Sequence, residues 1–153
     1  MNVIQFIQTT VNGLHQAIVN DVKGLTPAQL KYKPAPKANP VGFLFWHAVR
    51  IEDNNIAAMQ KKATVWEEDQ WYSKLGLDAK AFGTGFAESD VDKIAKLPID
   101  DILTYADKVF RNTSVYIQSL DQDKLDYAPN TERPNWTVGS MLNTFVIAHG
   151  CFA

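Results

Sequence analysis

The chain has 153 residues, 46% of them hydrophobic and 11% aromatic, enough to bury one sizeable core and to fit a single domain over residues 1–153. Its formal net charge of -2, with acids and bases interspersed, provides no basic stripe for phosphate neutralisation, so nucleic acid is excluded as the expected partner. A single cysteine, Cys151, precludes an internal disulfide, and no window holds the roughly 18 uninterrupted apolar residues that a membrane span requires.

The opening MNVIQFIQTTVNG carries neither a basic start nor a long apolar run, so it does not read as a secretion signal, and a soluble cytoplasmic protein is expected. Ile4, Ile7, Val11, Leu14, Ile18 and Val22 recur at three- and four-residue steps and predict an amphipathic helix from Val3 to Lys23, stopped by Gly24. LTPAQLKYKPAPKANP, rich in proline, is a connector with room for one helical turn at Pro27 to Leu30. Asn39 before Pro40 predicts the cap of a second helix running to about Gln60.

KKATVWEEDQWYSKLGLDAKAFGTGFAES mixes aromatics with glycine and charge, and predicts an ordered segment packed by its rings; Ser89 is positioned to cap a short helix ending near Lys96. Ile99, Leu103, Ala106, Phe110, Thr113, Ile117 and Leu120 predict a third long helix over Pro98 to Leu120. After the breaker-rich DQDKLDYAPNTERPN, Thr137 caps a fourth segment whose expected stripe is Val138, Met141, Leu142, Phe145 and Phe152. No strand pattern competes, so the expected fold is all-α, a four-helix bundle.

The histidines are the chemical signal. At 100° per residue His149 falls inside the last stripe, and His47, in PVGFLFWHAVRIEDN, lies at the edge of the second helix's apolar face beside Leu44 and Ile51. His15 sits near the buried side of the first helix, in a place equally compatible with half exposure. Bundle interiors are where metal sites are built from facing helices, and imidazole suits zinc and nickel. His47 and His149 are therefore either metal ligands or core histidines bonded to backbone or carboxylate. The metal reading requires the two rings to lie within about 8 Å, since each bond spans only about 2.1 Å.

Glu52 either pairs with a Lys or Arg or accepts from His47. Cys151 points away from the stripe that carries His149, which argues against a nucleophile there. The tryptophans Trp46, Trp66, Trp71 and Trp136 read as core or loop anchors, and Gly83-Thr84-Gly85 is too short a turn for a phosphate cradle. Phe43 and Trp46 fall off the predicted core stripe, which marks that face of the second helix as a dimer surface.

NPVGFLFWHAVRIEDN, VWEEDQWYSKLGLDAKAFGTGF and NWTVGSMLNTFVIAH, in that order, resemble the DinB-like superfamily, the group that includes bacterial thiol-dependent S-transferases and the mycothiol-dependent maleylpyruvate isomerase. The resemblance implies an up-down-down-up four-helix bundle, often a homodimer. It also implies a divalent metal, zinc or nickel, held by one histidine of the second helix and two of the last in an H-x-x-x-H spacing. Carried over by position, His47 and His149 are metal ligands, and the third position falls on Ala153, which cannot bind a metal. The last helix also lacks a cap, a glycine stop or a charged final turn, so the expectation is a domain missing the end of that helix.

The expected function is accordingly a metal-dependent enzyme, a thiol-dependent S-transferase or hydrolase type that uses a low-molecular-weight thiol and a small-molecule substrate. The alternative is a catalytically silent bundle that binds a ligand or dimerises without metal.

Overall fold

The polypeptide forms helices wherever an apolar stripe can be buried. The computed structural model describes residues 1–152, with side chains through Cys151, and no strand occurs among the described residues. Helix α1 (Val3–Val22) begins with a reciprocal cap in which Asn2 accepts from the Gln5 N–H and Gln5 accepts from the Asn2 N–H. Thr26 and Gln29 repeat that device for the short α2 (Pro27–Lys31).

Helix α3 (Val41–Gln60) is capped by Pro40, not by Asn39 as expected. Pro40 has an extended ψ of 154°, so the helix starts only after it and Asn39 falls one residue outside. The aromatic segment that follows is ordered, as its rings predict, and folds into two single turns, α4 (Val65–Glu68) and α5 (Trp71–Lys74). Helix α6 (Glu88–Ala95) starts one residue before Ser89, which therefore cannot cap it; Glu88 and Asp90 in the first turn face the helix dipole instead. Helix α7 (Ile99–Gln118) is followed by a 3₁₀ turn, Gln122–Asp126.

The last segment departs furthest from expectation. Thr137 caps α8 (Val138–Met141) by accepting from the Ser140 N–H at 3.2 Å, as predicted. The chain then widens into a π-helix, Leu142–Ala148, before α9 (His149–Phe152). Because π turns bond i to i+5, the buried positions become Val138, Leu142 and Val146, and Phe145 moves out to stack on the exposed Trp136 at 5.2 Å. The expected burial of Phe152 in that stripe lies outside the described side chains, and Ala153 at the third-ligand position outside the described residues.

Helix α3 packs against α1, α2, α4, α6, α7 and the π-helix, so it is surrounded. That overturns the expectation of a free α3 face. Phe43 and Trp46 are 3% and 0% exposed, buried with Trp66, Trp71 and Tyr105 in the larger of two core clusters. A wheel finds one stripe; a central helix needs none, because every side meets a neighbour. The second cluster joins Val11, Ile56, Ile117, Leu142 and Val146. No helix is long and apolar enough to cross a membrane among the described residues.

Candidate metal centre

Two histidines far apart in sequence meet where α3 passes the C-terminal helix: the ring centroids of His47 and His149 are 5.0 Å apart, at 64°. That separation is inside the limit of about 8 Å for two rings that share one ion through bonds of about 2.1 Å. His47 Nδ1 is hydrogen-bonded to the Phe82 carbonyl. A carbonyl only accepts, so Nδ1 carries a proton, and in the neutral tautomer that this selects, the ring's lone pair is on Nε2. Phe43 lies parallel to the ring at 5.6 Å and holds its plane. His149 Nδ1 is buried with no hydrogen-bond partner, an orphaned donor atom beside the first imidazole. Burial, and then the neighbouring His47, hold the His149 ring below the usual histidine range, which favours the neutral, ligating form.

These two residues fit a metal as two imidazole donors. They do not complete a site by themselves: no cluster of three His, Cys, Asp or Glu suited to a metal occurs among the described residues. His15 and Glu52, the internal candidates for the remaining coordination, are engaged with each other. His15 is buried, not half exposed, with Nε2 at 2.9 and 3.0 Å from the two Glu52 oxygens and its ring stacked on Phe110 at 3.8 Å. Thr113 Oγ1 donates to Glu52 at 2.5 Å. Glu52 thus orients His15 rather than His47, and binds neither Lys nor Arg. Cys151 is exposed.

Gly83, which the sequence showed only as part of a short turn, sits directly against the site. Its φ of +99° is in the left-handed region, and a Cβ there would sit 2.7 Å from His47 Nδ1 and 3.1 Å from both Phe43 and Trp46. Glycine is thus required twice, for the backbone and for the space. Gly85, with φ +74°, has nothing within 4 Å of a Cβ and serves as the control. Gly85→Ala is expected to cost only the backbone strain, about 1–2 kcal/mol. Gly83→Ala adds the displacement of His47 and is expected to cost about 1 kcal/mol more, read as the difference between the two urea midpoints; equal midpoints would show that His47 yields freely.

A second buried polar cluster lies one turn along α3. Arg50 and Asp53 are almost fully buried, and Asp53 accepts from the Val65 N–H at 2.9 Å, the Trp66 N–H at 3.0 Å and the Tyr105 hydroxyl at 2.7 Å. Arg50 reaches Asp53 at 3.5 Å and covers the Trp66 ring at 4.8 Å. Burial raises the Asp53 carboxyl above its usual range, against the pull of Tyr105, the two N–H groups and Arg50. Burial also pushes the Tyr105 hydroxyl well up, helped by the Asp53 charge. The partners of Arg50, Asp53 and Tyr105 are one another and the main chain, as in a structural network.

The family model described as the DinB superfamily matches residues 14–150. A solved structure, the conserved protein of locus from Enterococcus faecalis, is similar over 99% of this chain and 92% of that one, with 22% identity and a TM-score of 0.76. No curated protein matches.

Proposed function

This chain belongs to the DinB superfamily, and from that premise we propose that it is a metal-dependent enzyme of the thiol-dependent S-transferase or hydrolase type, with His47 and His149 as two ligands of a zinc or nickel ion. The observation that carries the reading is the pair of rings 5.0 Å apart, one oriented through Nδ1 and the other with a buried Nδ1 that nothing satisfies. A divalent cation, when bound, lowers the pKa of a coordinated thiol or water and supplies thiolate or hydroxide near neutral pH. The chain's own part is to favour the neutral form of His149, to fix the plane of His47 against Phe43 and to keep the Phe82 carbonyl on its Nδ1. The exposed Phe82 side chain places an apolar group beside this end of the fold, suited to the carbon skeleton of a small electrophile.

The arrangement proposed for the long helices is the up-down-down-up bundle, supported by the packing of α3 and α1 against each other, against α7 and against the π-helix. A cytoplasmic homodimer belongs to the same proposal, but its surface is not the Phe43 and Trp46 face, which is buried. The absence of a three-donor cluster among the described residues favours one alternative, a silent bundle in which both histidines are core residues and no metal binds.

Metal analysis separates the two. Purified protein is expected to carry zinc or nickel in stoichiometric amount, with His47→Ala and His149→Ala each losing it. Added metal at 100 times its Kd is expected to stabilise the wild type by about 2.7 kcal/mol. A metal-free protein whose melting temperature ignores both ions would establish the silent bundle.

A further inference from the structure

His47 and Arg50 stand one turn apart on α3, and both donate into the same short stretch of the aromatic segment. Arg50 Nε donates to the Ala81 carbonyl at 2.8 Å, and His47 Nδ1 to the next carbonyl, that of Phe82. Arg50 is itself immobilised: Nη1 lies 3.5 Å from Asp53 and 3.4 Å from the Tyr105 hydroxyl, and the guanidinium carbon lies 4.8 Å from the Trp66 ring centre. Beyond the two carbonyls the chain turns at Gly83, whose carbonyl accepts from the Phe86 N–H at 3.3 Å and whose missing side chain lets the backbone close on the imidazole. The loop is thus gripped at consecutive peptide units by two side chains of one rigid helix.

We propose that Arg50 is a positioning residue that holds the Ala81–Gly83 backbone as a tautomer lock on His47, keeping the proton on Nδ1 and Nε2 free as a donor atom. A free imidazole in water exchanges between its two tautomers; a carbonyl clamped at Nδ1 selects one. The clamp needs a fork whose Nε grips the loop while Nη1 stays with Asp53 and Tyr105, which guanidinium supplies and an ammonium does not. The consequence for metal binding rests on the function proposed above, whereas the tautomer itself does not.

The test is nitrogen NMR of the imidazoles in the full, metal-free chain at pH about 8.5, well above the ordinary histidine pKa of ~6.5. Wild-type His47 is expected to show a protonated Nδ1 and a bare Nε2. Arg50→Lys keeps a positive charge near Asp53 but loses the grip on Ala81, and is expected to release His47 to a mixture of tautomers. In a competition titration the same variant is expected to bind zinc about 10-fold more weakly. Gly83→Ala, which leaves Arg50 unaltered and drives a methyl onto Nδ1, is expected to release the same tautomer and serves should Arg50→Lys fail to fold. A wild-type His47 protonated at Nε2 would overturn the lock, and so would an unchanged tautomer in either folded variant. If wild type takes up neither zinc nor nickel, the metal reading falls and the NMR result alone decides the lock.

Discussion

Asp53→Ala is expected to lower the unfolding free energy by about 3–5 kcal/mol, because it removes one partner of a buried ion pair and leaves the Arg50 charge without its counterion. The loss spreads beyond the pair. Asp53 also takes the first two N–H groups of α4, those of Val65 and Trp66, while Thr64 takes the third, that of Glu67, at 3.1 Å. Without the carboxylate, two buried donors and the Tyr105 hydroxyl lose their acceptor together. Hydrogen exchange over Val65 to Lys74 is therefore expected to speed up more than exchange in α1, which would distinguish release of this segment from uniform destabilisation.

The pH dependence follows from the same carboxyl. Its folded pKa is raised above the ordinary 3.8, so as pH falls from neutrality the folded state takes up this proton before the unfolded state does. Over that window, and down to 3.8, the contribution of Asp53 to stability rises with acidity. Asp53→Asn cannot titrate, so the stability gap between wild type and this variant is expected to widen on acidification; a gap that narrows would reverse the assigned direction.

Trp66→Ala is expected to cost about 3–5 kcal/mol, the range for deleting a fully buried aromatic side chain. Trp66 is the point where the aromatic segment meets the long helices. Its ring meets Trp46 of α3 at 5.8 Å and Tyr105 of α7 at 5.4 Å, both edge-on, with Arg50 over its face. Its Nε1 donates to the Asp78 carbonyl at 3.4 Å. Trp66→Phe keeps an aromatic ring in the site and is expected to cost about 1 kcal/mol for that hydrogen bond, plus a packing loss smaller than that of alanine. Urea denaturation of both variants checks the order. Because Trp66, Arg50 and Tyr105 share contacts, pairing Trp66→Ala with Tyr105→Phe is expected to be non-additive by at least about 0.5 kcal/mol.

Much of the architecture was legible in the order of the residues. The stripe of Ile4, Val11, Leu14 and Ile18 specified α1, and Thr137 marked its helix start through a hydroxyl placed three residues before a waiting N–H. The pairing of His47 with His149 was legible in part, since each could be assigned to the inner side of its helix. Their orienting groups were not. The acceptor for His47 is a main-chain carbonyl, which no residue type announces, and it comes from a loop 35 residues away. The wheel also failed wherever its assumption of one neighbour or one pitch failed: Phe43 and Trp46 are buried because α3 is enclosed, and Val146 replaces Phe145 because the helix widens into a π turn.

The sequence by itself determined that the chain is helical and where its first three long helices run, because apolar period, caps and breakers act within a few residues of one another. Only the tertiary structure decided the rest: that Glu52 serves His15, that Arg50 and Asp53 are buried together, and that Gly83 must be glycine. Those outcomes depend on the direction and depth of side chains from separate elements, where a single ångström separates a hydrogen bond from an unsatisfied charge.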